Sequence, residues 1–79
     1  VYNNRGNIYF SQGDYERAIE DYSYAERLSG NDAGIKMNIS MANYQLGKLQ
    51  LASGKYQEAS MIDSTVDDRF AGYIKLLSN

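Results

Sequence analysis

Residues 2–22 read YNNRGNIYFSQGDYERAIEDY, and their spacing decides the fold. Tyr2, Gly6 and Tyr9 recur at four and three residues, which places an aromatic, a gap and an aromatic along one stripe of a helix. Gly13 interrupts the pattern; Tyr15, Ala18 and Tyr22 then resume it at three and four. The two stripes predict antiparallel helices, in which Gly6 admits close backbone approach and Ala18 lets the second helix pack tightly. Asp14 follows the turn glycine, where its carboxylate can accept from the free amides of the next helix.

Reading outward, the first helix covers about residues 2–12, with Tyr2, Gly6, Tyr9 and Phe10 on its apolar stripe. The second runs from about Tyr15 to Ser29 with Ala18, Ile19, Tyr22, Ala25 and Leu28 on one face. Glu16, Arg17, Glu20 and Asp21 lie opposite, where Arg17 and Asp21 can pair at i,i+4. Ser29-Gly30-Asn31-Asp32 reads as a turn, with Gly30 suited to close a helix and Asn31 or Asp32 to cap the next.

A second copy of the motif can be laid down at two spacings. A shift of 41 puts Gly6 on Gly47, Gly13 on Gly54, Tyr15 on Tyr56 and Ala18 on Ala59. A shift of 34 puts Gly13 on Gly47, Ala18 on Ala52, Tyr22 on Tyr56 and Ala25 on Ala59. The longer shift gives both glycines a role, whereas the shorter leaves Gly54 inside a helix at a cost of about 1 kcal/mol relative to Ala. It therefore predicts a long third helix over about 33–53 and a fourth from Lys55 or Tyr56. That register puts Asp63 in the core slot of Tyr22, so the fourth helix should end or bend at Asp63-Ser64-Thr65. Val66, Phe70, Tyr73, Ile74 and Leu77 make the stripe of a fifth helix over 66–78, either a cap or the opening of a third repeat.

Composition narrows the function classes. The chain has 79 residues, no Pro, no Cys and no His, and a formal charge of −2. Without Cys or His a zinc site lacks its preferred ligands, and no cofactor motif is present. Basic residues stand singly, which argues against nucleic acid, and no apolar run reaches the length of a membrane span. The missing thiols leave the compartment open, with the cytoplasm as default. Catalysis would have to rest on Asp63, Asp67 and Asp68, and with no glycine-rich loop beside them they read better as helix-capping residues. Met37 and Met41, one turn apart, read as core rather than as a binding strip. Tyr24 lies off the apolar stripe, as an isolated surface aromatic or a contact between neighbouring repeats.

The pattern Tyr2-x2-Arg5-Gly6-x2-Tyr9 with Ala18 and Tyr22 resembles the tetratricopeptide repeat. It departs from it at Arg5, where the family has Leu, and at Gly30, where Pro is frequent. The resemblance implies an all-α solenoid of antiparallel helix hairpins with about five helices. The first repeat would span about 2–30, the second about 33–64, and a terminal helix 66–78. It also implies a non-catalytic scaffold that binds a protein or peptide on a concave face lined by the first helix of each repeat. Carried onto this chain, that face would hold Asn3, Asn7, Phe10 and Ser11 from the first repeat and Tyr44, Lys48, Leu51 and Ala52 from the second. Asn7 matches the Asn of a clamp that some relatives use for a C-terminal carboxylate. Asn3 replaces its first Lys, so such a clamp is not expected. The alternative is a structural spacer or a self-assembling segment, because about two repeats leave apolar ends that self-associate or pack on neighbouring repeats.

Overall fold

The computed structural model describes residues 1–78, and among these the secondary structure is helical throughout. The helices are α1 (Tyr2–Ser11), α2 (Tyr15–Ser29), α3 (Ala33–Gln45), α4 (Leu49–Ile62), α5 (Val66–Arg69) and α6 (Ala71–Leu77). α1 and α2 form one antiparallel hairpin, α3 and α4 a second, and α5 and α6 lie against the second.

The first hairpin has the structure its sequence predicts. Gly13 takes φ of 80°, which an L side chain rarely adopts, and Asp14 accepts from the Arg17 amide at 3.3 Å. Gly6 is buried so closely that a Cβ would stand 2.7 Å from the Tyr22 ring and 3.3 Å from the Ala18 carbonyl. Gly30 closes α2, and Asp32 caps α3 by accepting from the Ile35 amide at 3.1 Å.

The second hairpin overturns the 41-residue spacing. α3 stops at Gln45, Gly47 is the turn residue with φ of 78°, and α4 runs unbroken through Gly54. The two turns, 34 residues apart, share one bonding pattern. Asp14 N–H reaches the Tyr9 carbonyl and Lys48 N–H the Asn43 carbonyl, each at 2.9 Å, while Gly13 bonds Phe10 and Gly47 bonds Tyr44, each at 3.0 Å. The counterpart of Ala18 is therefore Ala52, and that of Ala25 is Ala59; Ala18, Ala52 and Ala59 are completely buried. Ser40 occupies the slot of Gly6. Its hydroxyl donates to the Ala52 carbonyl at 2.6 Å, so a polar side chain fits where the first hairpin needs none. A Cβ on Gly54 would meet nothing within 4 Å, so this glycine is a propensity cost that the packing of α4 outweighs.

α3 is the central helix. Ile35 and Ile39 pack on Ala18, Tyr22 and Ala25 of the first hairpin. Ala33 and Met37 pack on Ala59 and Val66. Met37 is thus core, whereas Met41 is only half-buried.

α4 ends at Ile62, but Asp63 is no core residue. It is the half-exposed C-cap, accepting from the Thr65 amide at 3.0 Å and the Thr65 hydroxyl at 2.6 Å, which holds its carboxyl below the usual range. The single fifth helix expected over 66–78 is two helices, because Phe70 adopts φ of −117° and ψ of 27° between them.

Candidate functional site

The sequence-derived groove residues separate into two groups. Asn3, Asn7, Phe10 and Ser11 lie on α1 and Tyr44 lies on α3, the first helices of their hairpins. Lys48, Leu51 and Ala52 do not. Lys48 is the N-cap of α4, Leu51 is an exposed residue of α4, and Ala52 is completely buried behind α3. Their place on the concave wall followed from the 41-residue spacing and falls with it.

On the α1 side, each of these polar side chains makes at least one hydrogen bond. Asn3 Oδ1 accepts from Asn38 Nδ2 at 3.2 Å, which ties α1 to α3 edge to edge. Asn7 Oδ1 accepts from the Tyr22 hydroxyl at 2.6 Å; burial pushes the Tyr22 phenol up, so it stays a donor. The Asn7 carboxamide N–H pair is left for an outside acceptor. Ser11 is exposed and bonds back to the Asn7 and Ile8 carbonyls at 2.8 and 3.1 Å. Phe10 is half-buried against the core, edge-on to Tyr15 with ring centroids 5.0 Å apart. On α3, Tyr44 meets Tyr73 edge-on at 5.6 Å. Burial raises the Tyr73 phenol, which shares a 2.7 Å hydrogen bond with Ser40.

One edge of the first hairpin carries a feature that the sequence did not reveal. Arg5 forms a two-pronged ion pair with Asp21, Nε to Oδ2 at 2.8 Å and Nη2 to Oδ1 at 2.9 Å. The Arg5 hydrogen bond holds the Asp21 carboxyl below its usual range against the cost of burial. Asp21 therefore does not pair with Arg17, which reaches Asp14 at 3.6 Å instead. Tyr24 is not isolated: its ring lies 4.3 Å from that of Tyr2, with Arg5 over Tyr2 and Arg27 over Tyr24. These residues line an open cleft of about 500 Å³. A Leu in place of Arg5 would leave Asp21 without its cation, so the two departures from an apolar seam explain each other. The signal was present as an Arg and an Asp on facing stripes, but sequence spacing alone does not say which faces meet.

Between the hairpins sits an ionic cluster. Lys36 Nζ bonds Glu26 at 2.7 Å and Glu58 at 2.9 Å, and Lys55 Nζ bonds Glu26 at 3.1 Å. Lys36 is nearly buried and is held protonated by Glu26 first and Glu58 second, against desolvation. Burial alone would raise the Glu26 carboxyl, but bonds from Lys36 and Lys55 outweigh it and hold it below its usual range.

Among the described residues no cluster of His, Cys, Asp or Glu is arranged to hold a metal ion, and no helix is long and apolar enough to cross a membrane. Asp67 accepts from Tyr56 at 2.6 Å and from Ser60 at 3.1 Å, and Asp63 is the cap described above. Asp63 and Asp67 are thus committed to structure.

Two stacked antiparallel hairpins with equivalent glycine turns 34 residues apart, and a small residue, Gly6 or Ser40, at each helix seam, define an all-helical hairpin fold. Residues 1–32 match the family model of the tetratricopeptide repeat, so the first hairpin is similar to a repeat of that family. No curated protein matches the chain. Repeats of this family serve in general as protein-interaction scaffolds.

Proposed function

We propose that the chain is a non-catalytic interaction module that takes an extended peptide along the face shared by α1 and α3. The observation that supports this reading is the Asn3–Asn38 hydrogen bond, which joins a side chain of α1 to one of α3; Asn7 and Ser11 lie on α1, and Tyr44, packed on Tyr73, lies on α3. Asn7 donates to peptide carbonyls, Phe10 and Tyr44 offer apolar contact, and Asn3 and Ser11 extend the polar row. No lysine lies among these residues, so the ligand is held by its backbone and one apolar side chain rather than by a terminal carboxylate.

The test begins with selection of peptides from a displayed library on the intact chain, followed by calorimetry on variants. Tyr44→Ala should weaken binding by about 2 kcal/mol, the cost of truncating a central anchor, and Ser11→Arg should weaken it by obstruction. Glu16→Ala, on the outer face of α2, should bind like the parent. Equal affinities across the three would move the binding surface elsewhere. They would favour a structural spacer or self-assembling segment, a reading that draws on the exposed Leu51 and Met61 of α4.

A further inference from the structure

Tyr22 and Asn7 form a pair that the second hairpin does not repeat. The Tyr22 ring is buried and lies where Gly6 leaves room for it, since a Cβ on Gly6 would come within 2.7 Å of the ring. From there its hydroxyl donates to Asn7 Oδ1 at 2.6 Å, the one hydrogen bond of the Asn7 side chain among the described residues. Burial raises the phenol above its ordinary value, so the hydroxyl keeps its proton. A carboxamide has two ends of nearly equal shape, one an acceptor and one a double donor, and a turn about its last bond exchanges them. The hydroxyl takes the acceptor end, and Asn7 is exposed on α1, so its N–H pair is left for an outside group. Thirty-four residues on, Met41 stands for Asn7, Ser40 for Gly6 and Tyr56 for Tyr22. Tyr56 donates instead to Asp67 at 2.6 Å, and Met41 has no polar end to orient. The two first helices thus offer one oriented donor at this repeat position, on α1, and the half-buried Met41 at its counterpart on α3.

We propose that Tyr22 is a positioning residue of the α1 and α3 face: its hydroxyl holds the Asn7 carboxamide with the nitrogen outward, so that this point of the face takes a hydrogen-bond acceptor, such as a main-chain carbonyl, and rejects a donor. The inference rests on the groove reading and names what that groove selects at Asn7. A ligand N–H brought there would meet another donor and would give up its bond to water without gaining one. Without the hydroxyl, the two orientations of the carboxamide become comparable in population, and the donor is presented only about half the time.

The test titrates a peptide selected from a displayed library on the parent chain into four intact variants: Tyr22→Phe, Asn7→Ala, the two combined, and Asn7→Asp. Binding is read by calorimetry, and helical circular dichroism checks that each variant is folded. Tyr22→Phe keeps the ring beside Gly6 and should weaken binding about two- to threefold, as half or more of the competent orientation is lost. Asn7→Ala should weaken it by up to about tenfold. In that background Tyr22→Phe should add nothing, because no carboxamide remains to orient. Asn7→Asp still accepts from Tyr22 but turns a second acceptor outward, so it should lose at least as much as Asn7→Ala. In the isotope-labelled free chain, Tyr22→Phe should move the Asn7 side-chain N–H signals, which a loss of stability alone would not do. Additive losses in the combined variant, parent-like affinity in Asn7→Asp, or unmoved Asn7 signals would overturn the assignment. Should Tyr44→Ala weaken binding while these results fail, the groove stands without a role for Tyr22. Should neither Tyr44→Ala nor Asn7→Ala weaken it, the groove reading falls and the assignment falls with it.

Discussion

Gly6 and Gly54 are both helical glycines, yet only one is held in place by a neighbour. Adding a methyl at Gly6 drives it into the ring of Tyr22, itself 2% exposed and hydrogen-bonded to Asn7, so the ring has little freedom to retreat. Gly6→Ala should therefore lose about 1 to 3 kcal/mol to overpacking, less up to about 1 kcal/mol regained in helix propensity. Gly54 faces open space within 4 Å, so Gly54→Ala should gain up to about 1 kcal/mol. Urea denaturation of the pair checks both signs, and a stabilised Gly6→Ala would refute the close-approach argument. The same comparison shows why the first hairpin was legible and the second was not. In the first, Tyr2, Gly6, Tyr9, Ala18 and Tyr22 carry the motif unaltered. In the second, Lys36, Ser40 and Asn43 stand in the places of Tyr2, Gly6 and Tyr9; Lys36 and Ser40 are accommodated by partners distant in sequence, and Asn43 bonds back to the Ile39 carbonyl. A propensity argument about Gly54 could not weigh those partners. Overpacking at the corrected counterpart of Ala18 is also open to test: Ala52→Leu should lose about 1 to 3 kcal/mol, read from the same denaturation curves.

At the scale of elements, Lys36 bonds a carboxylate of α2 and one of α4, so the ionic cluster fastens one hairpin to the other. The signs of its pH dependence follow from the shifts. Glu26 and Glu58 are held below their ordinary values, so their contribution is complete above the unfolded carboxylate range and is lost as pH falls through the folded values. Lys36 is held above its ordinary value, so its contribution is complete below the unfolded lysine pKa of about 10.4 and is lost as pH rises beyond it. Stability should show a plateau between about pH 5 and 10, with the acid limb shallower in Glu26→Gln; thermal melts across pH measure both limbs. Glu26→Ala should cost less than the roughly 3 to 5 kcal/mol of stripping a buried ion of its only partner, because Glu58 still holds Lys36. Lys36→Met removes the cation with its need for partners and should be nearly neutral. A larger loss in Lys36→Met than in Glu26→Ala would contradict this account. None of the cluster was visible in the sequence, since its members are brought together only by the stacking of two hairpins.

Over the whole molecule, the fold class and the first hairpin followed from periodicity and turn chemistry, whereas the end of α4 at Asp63 was expected for a core-slot reason that the corrected spacing removes; Asn3, Asn7, Phe10, Ser11 and Tyr44 lie on first helices as expected. Lys48 and Leu51 do not, because a single spacing error carries every later residue onto another helix. The corrected 34-residue spacing makes Met37, Met41, Tyr44 and Gln45 the counterparts of Asn3, Asn7, Phe10 and Ser11, and Asn38, next to Met37, bonds Asn3 from α3 to α1. The central claim is that this shared face of α1 and α3 is where a partner lies. The most direct measurement is a titration of a library-selected peptide into the isotope-labelled chain, followed by amide chemical shifts residue by residue. Shifts should concentrate at Asn3, Asn7, Ser11, Asn38, Met41 and Tyr44, leaving Glu16, Glu20 and Gln57 on the second helices unmoved. Shifts confined to α2 and α4, with Asn7 and Tyr44 unchanged, would contradict the account.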